Sequence, residues 1–219
     1  MSGLPVEIKL ETPDVSEWKG VARGALSPAE FKKALARGVN DALAKARTRI
    51  LKKVTSRYTV ERKDITKFVK LYKPSNNDPT GRIIFKSTRL SLGKFKLIPV
   101  PSLQKGIPVA RRKRVTVEKV KGRSYESKRG FAAEMKSGHK GLFHRTGNKD
   151  KKPVGKHYKR GKLSDNDPKN KTREQIKERT GPSIAHMVGS MEIIEPVQTA
   201  AEAYMKKRID HHMMRALKS

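Results

Sequence analysis

The sequence predicts an α+β fold: a long N-terminal amphipathic helix packed on a mainly antiparallel sheet, with a C-terminal helix and a long basic loop. Three observations carry this. A capping box opens a stretch whose apolar residues recur every three to four positions, the middle of the chain shifts to short runs rich in Ile, Val and Phe, and the C-terminal end returns to the helical period. Residues 1–219 are read as one domain, with a flexible basic loop at about 146–173 and the C-terminal helix at about 196–218.

Val6 to Leu10 alternate weakly and predict a short strand. Thr12 to Ala25, with Pro, Gly and the lone Trp18, shows no clear period and is expected to be a loop held by one aromatic anchor. Ser27-Pro28-Ala29-Glu30 is a capping box: Ser27 can accept from the N–H of Glu30, and Glu30 can accept from the N–H of Ser27. Proline at the first helical position gives up an N–H that would have no partner there. Phe31, Leu35, Val39, Ala42, Leu43, Ala46, Ile50 and Val54 then form one apolar stripe. Lys32, Lys33, Arg37, Lys45, Arg49, Lys52 and Lys53 fill the other sides, so the helix is expected to run to about Ser56. Gly38 interrupts it at a cost of about 1 kcal/mol against Ala.

Asp64 is expected to cap a second, shorter helix with Ile65, Phe68 and Val69 inward, ending before Pro74 and the turn-rich SNNDPTG. Strands are expected at Arg82 to Lys86, Lys94 to Val100, Arg114 to Val120 and within Gly130 to Phe143. The run from Thr146 to Arg173 has too few apolar side chains to offset the entropy of ordering its backbone, hence the expected loop. From Pro196 onward Val197, Ala201, Tyr204, Met205, Ile209, Met213 and Leu217 share a stripe. Early acids (Glu195, Glu202) and later bases (Lys206 to Arg208) complement the helix dipole.

Composition narrows the function classes. Fifty-two Lys and Arg against 21 Asp and Glu leave a formal charge of +31, a field that repels itself unless a polyanion is near. Nucleic acid or a strongly acidic protein is the expected partner. The N-terminal residues MSGLPVEIKLETPDV lack a basic start followed by an apolar run, and no stretch reaches about 18 apolar residues, so secretion and membrane spanning are not expected. Without cysteine there are no disulfides or thiolate metal ligands.

The pair Ser183 and His186 in GPSIAHMVGS, three residues apart, lacks a third orienting group and a Gly-x-Ser-x-Gly elbow. It reads as a helix entry: Gly181 for a bend, Pro182 to start the turn, Ile184, Met187 and Val188 as its apolar face. GKHYKRGK, Gly155 to Lys162, is no P-loop, because its glycines are separated by five residues rather than four and Leu163 replaces the Ser or Thr. His139, His144, His157, His186, His211 and His212 fall at no metal-binding spacing, and Asp165 with Asp167 lack the third carboxylate a metal-dependent nuclease would use. No catalytic residue, metal or cofactor is expected.

Two basic clusters remain as candidate contacts to DNA or an acidic partner: Arg111, Arg112, Lys113 and Arg114, then Lys149, Lys151, Lys152, Lys156, Lys159, Arg160 and Lys162. No acidic block neutralises them, and no aromatics are interleaved at stacking intervals, so contact with the phosphate backbone without sequence readout is the expected mode.

Several segments in order resemble the phage tail-completion family known as minor tail protein Z. They are Arg57-Tyr58-Thr59-Val60 and Lys63-Asp64-Ile65 after the basic helix, Gly81-Arg82-Ile83, Leu92 to Pro99 with Phe95 between, and Phe131 to Met135. Gly138 to Arg145 (GHKGLFHR) follows, then Ile176-Lys177-Glu178 leading into Gly181-Pro182-Ser183-Ile184, then the terminal helix. Two departures stand out: Arg179-Thr180 occupies the place of an apolar Leu-Tyr-like pair, and the 146–173 loop is longer than in the family. The resemblance implies a non-enzymatic virion protein at the head-proximal end of a long tail, in a hexameric ring around the DNA path. Its neighbours would be the tail terminator, the head-tail connector proteins and the tape measure protein, with packaged DNA passing through. Assembly would take place in the host cytoplasm. The alternative is a cellular, non-specific nucleic-acid-binding protein of the ribosome-associated kind, for which the same charge would be natural.

Overall fold

A computed structural model describes residues 4–11, 14, 16–22, 25–75, 80–101, 114–128, 130–135, 137–149 and 174–218. The fold is α+β. Its residues gather into two compact units, one of Met1–Leu90 with Pro182–Ser219, the other of Ser91–Gly181.

The first unit is built on two long helices. Helix α2 (Pro28–Arg57) opens as its capping box requires: the Glu30 N–H donates to Ser27 Oγ at 3.3 Å and the Ser27 N–H to Glu30 Oε2 at 2.9 Å. Helix α5 (Met191–Leu217) runs antiparallel to it, since Arg57 pairs with Glu192 at one end while Asp41 pairs with Arg208 towards the other. Each helix buries a row spaced by four residues: Gly38, Ala42, Ala46, Ile50 and Val54 on α2, Ile193, Val197, Ala201, Met205, Ile209 and Met213 on α5. These rows form the centre of the unit, and full burial of a side chain the size of Ile or Val contributes about 1.5–3 kcal/mol.

The expected packing on a sheet is present along another side of α2. Strands β1 (Val6–Leu10), β2 (Val69–Tyr72) and β3 (Gly81–Phe85) form an antiparallel sheet in the order β1-β3-β2, with Ile8 opposite Ile83 and Val69 opposite Phe85. Ile8, Leu10, Ile83 and Phe85 alternate onto the buried face. Gly81 reaches α2 so closely that a Cβ there would stand 2.6 Å from Leu43 Cδ1.

Three expectations are corrected in this unit. Ser16–Ala22 is a helix, α1, not a loop, although Trp18 is the buried anchor expected. The second short helix, α3, spans Arg62–Thr66. Its cap position is Glu61, and Asp64 is buried within it instead of capping it; Val69 belongs to β2. Helix α5 starts at Met191, so Pro196 lies inside it.

The second unit holds two three-stranded antiparallel sheets. One is β5-β6-β7, from Lys96–Ile98, Val115–Val120 and Arg123–Ser127, with Leu97, Val115 and Val117 buried. Its hairpin turns at Gly122, which takes φ 76° and donates its N–H to Glu118 Oε1 at 3.0 Å. The other is β8-β9-β10, from Phe131–Glu134, Lys140–Lys149 and Glu174–Glu178, where Phe131 lies opposite Phe143 and Ala132 opposite Leu142. Strand β9 runs to Lys149 and pairs there with Glu174, so residues 146–149 are ladder, not the start of the expected loop. Strands β4 (Arg89–Ser91) and β11 (Thr180–Ser183) form a two-stranded ladder.

Candidate nucleic-acid and partner interface

GPSI is built as a helix entry, with details the spacing does not give. Gly181 and Pro182 lie in β11, and Gly181 is crossed by the ring of Phe95, whose Cε2 would be 2.7 Å from a Cβ. Gly181 therefore serves close packing rather than a bend, and Pro182 does not start the helix. Ser183 is the cap of α4 (Ile184–Val188): its Oγ accepts from the His186 N–H at 3.1 Å, which explains the three-residue spacing of Ser and His. The His186 side chain is exposed, while Ile184, Met187 and Val188 are fully buried.

A second Ser and His grouping, not visible in the sequence because it joins three distant segments, lies in the second unit. Glu178 of β10 accepts through Oε1 from Ser91 Oγ, and the same oxygen faces His139 Nε2 at 2.7 Å. Ser91 Oγ in turn accepts from the Gly93 N–H at 3.0 Å, capping a 3₁₀ turn over Leu92–Lys94. The carboxylate stands between hydroxyl and imidazole, so the order is not that of a nucleophile activated by a histidine. The three side chains fasten β10 to the turn before β9 and to the end of β4.

In the first unit, α2 and α5 are joined by a polar cluster. Asp41 accepts from Arg208 Nε at 2.7 Å and faces His212 Nε2 at 3.0 Å. Partial burial acts to raise the Asp41 pKa, but the hydrogen bonds of His212 and Arg208 more than offset it, and the carboxyl is held below its ordinary range. The Trp18 indole N–H donates to Asp210 Oδ1 at 2.5 Å, tying α1 to α5. Asp41 is detectable in the sequence as the one acid in a basic helix row; its partners are not. His211 is exposed while His212 turns to Asp41.

Of the basic candidates, Arg114 is exposed at the start of β6 and lies 3.5 Å from Glu126 Oε1. Lys149 ends β9. Arg111, Arg112, Lys113, Lys151, Lys152, Lys156, Lys159, Arg160 and Lys162 lie outside the described residues. Lys149 pairs with Glu174 across β9 and β10. Among the described residues no group of three His, Asp or Glu side chains could hold a metal ion, and no helix is long and apolar enough to cross a membrane. No protein-family model, curated protein or solved structure matches the chain.

Proposed function

We propose that this chain is a virion structural protein, a tail-completion component at the head-proximal end of a long phage tail that acts by assembly, in a ring around the DNA path. The observation that carries this is the order of the resembling segments, from the basic helix through GHKGLFHR to GPSI and the terminal helix. The packing roles of those segments support the reading: Tyr58 and Val60 are buried, Gly81 abuts α2, Phe95 covers Gly181, and Ser183 caps α4. A ring surrounding transiting DNA needs positive charge without base-specific contacts that would stall passage, and a net charge of +31 fits that need.

The same charge favours a second reading, a cellular protein that coats nucleic acid without sequence preference. Electron microscopy of tails assembled with and without the protein separates the two. Tails lacking it are expected to assemble but to join heads poorly. Tails that join heads and infect normally without it would overturn the neck assignment.

A further inference from the structure

The sheet of the first unit has two faces, and the core uses one of them. Gly81, Ile83 and Phe85 of β3 are buried on the side of α2, with Gly81 against Val39 and Leu43. Side chains alternate along a strand, so Arg82 and Ile84 stand on the opposite face. The register sets their neighbours: Arg82 lies between Lys9 of β1 and Tyr72 of β2, and Ile84 between Glu7 and Lys70. The Lys86 N–H donates to the Phe68 carbonyl at 3.0 Å, so pairing runs one residue past β3 and keeps Lys86 in step with Arg82 and Ile84.

This second face is open. Lys9, Lys70, Lys86 and Glu7 are exposed, Tyr72 keeps 44% of its surface, and Arg82 and Ile84 at the centre are half-buried. One tyrosine ring and one isoleucine thus share the face with four cations and a single acid. Among the described residues Lys9, Lys70 and Lys86 form no ion pair. The face measures about 10 Å from Lys9 to Tyr72, two strand spacings, and about 13 Å along β3 from Arg82 to Lys86, room for two or three bases. Beyond Lys9 the surface turns mixed: Glu11, Glu202 and Lys206 line an open cleft of about 660 Å³ between the end of β1 and α5. The path favourable to an anion therefore crosses β3 towards β2.

We propose that this face binds single-stranded nucleic acid, with a base stacked on the Tyr72 ring and the adjoining phosphates held by Lys9, Lys70 and Lys86. A single strand offers the π-face of any base to an exposed ring, whereas a duplex keeps its bases stacked on one another and out of reach. An acidic protein is the weaker fit, because Ile84 is the sole aliphatic side chain at these positions, too little for the apolar core of a protein interface. Stacking accepts every base, so binding has little sequence preference. The inference stands on this face and not on the neck assignment; the purified chain suffices to test it.

The test is the affinity of the full-length chain for a short oligothymidine and for an abasic strand of equal length, which keeps the phosphates and lacks the bases. Both are measured across a salt series, with poly-glutamate as a parallel probe. Tyr72→Ala is expected to weaken oligothymidine binding about five- to tenfold, the low end for loss of one stacked base because the ring is partly covered, and to leave the abasic strand unchanged. Tyr72→Phe, which keeps a ring, should bind like wild type. So should Tyr125→Ala, which removes a tyrosine of similar exposure from β7 of the other unit. Lys9→Gln/Lys70→Gln is expected to flatten the plot of log affinity against log salt by about 0.7 per lost contact, roughly 1.4 in all, on both strands. Unchanged oligothymidine binding in Tyr72→Ala, an equal loss on the abasic strand, or an equal loss in Tyr125→Ala would each overturn the proposal. A loss in the lysine variant confined to poly-glutamate would overturn it too and assign the face to an acidic protein.

Discussion

Gly38 of α2 faces Ile209 of α5 so closely that a Cβ on Gly38 would stand 2.5 Å from Ile209 Cγ1 and 3.0 Å from its Cα and backbone nitrogen. The glycine that weakens the helix locally is where the two helices approach, and the packing outweighs the propensity. Gly38→Ala, which would stabilise an exposed helix by about 1 kcal/mol, is therefore expected to destabilise this protein by about 1–3 kcal/mol. Urea denaturation measures it. Adding Ile209→Ala should recover part of the loss, since it removes the Cγ1 clash though not the backbone contact, and a double-mutant cycle showing no coupling would refute the contact.

Asp41 sets a pH dependence. Its folded pKa is depressed, so the stability it contributes is present in full above its unfolded value, about 3.9, and is lost as pH falls through the lower folded value. Asp41→Asn is expected to cost about 1 kcal/mol near neutrality, at the low end for a charged hydrogen bond because the site is partly exposed. The gap between wild type and variant should close below about pH 4, and a gap that widens there would reverse the assignment.

The α+β class and both long helices were legible because their signals are local: a capping box at Ser27 and apolar residues at helical spacing. What was missed depends on distant partners. Helix α1 has no period of its own and is held by Trp18, whose indole bonds Asp210 at the other end of the chain. The first turn of α5 precedes a proline that reads as a helix start; Ile193, buried, holds that turn against the bond Pro196 cannot donate. Strands β7 and β10, RSYES and EQIKE, carry almost no apolar alternation and exist through backbone pairing with β6 and β9. The same limit applies to the site. The basic clusters could be read from composition, whereas Ser91, His139 and Glu178 meet only once three segments are folded together.

GPSI separates a cap from a catalyst. Ser183→Ala removes one hydrogen bond at the start of α4 and is expected to cost about 1 kcal/mol, with function retained wherever the protein stays folded. His186→Ala should be near neutral, since its backbone N–H and not its ring makes that bond. Ile184→Asp places a charge at a fully buried position and should cost more than about 3 kcal/mol, visible as a lowered denaturation midpoint. Loss of function in Ser183→Ala with unchanged thermal stability would point instead to chemistry at the hydroxyl.

The segment from Lys149 to Lys162 holds seven of the candidate bases and no acid after Asp150. If it touches duplex DNA, each phosphate contact it makes releases counterions. Neutralising Lys151, Lys152, Lys159 and Arg160 should then flatten the salt dependence by about 0.9 per lost contact, evenly across DNA sequences. A slope unchanged by the loop variant, together with failure of the protein to attach in assembled necks, would assign the segment to an acidic protein neighbour.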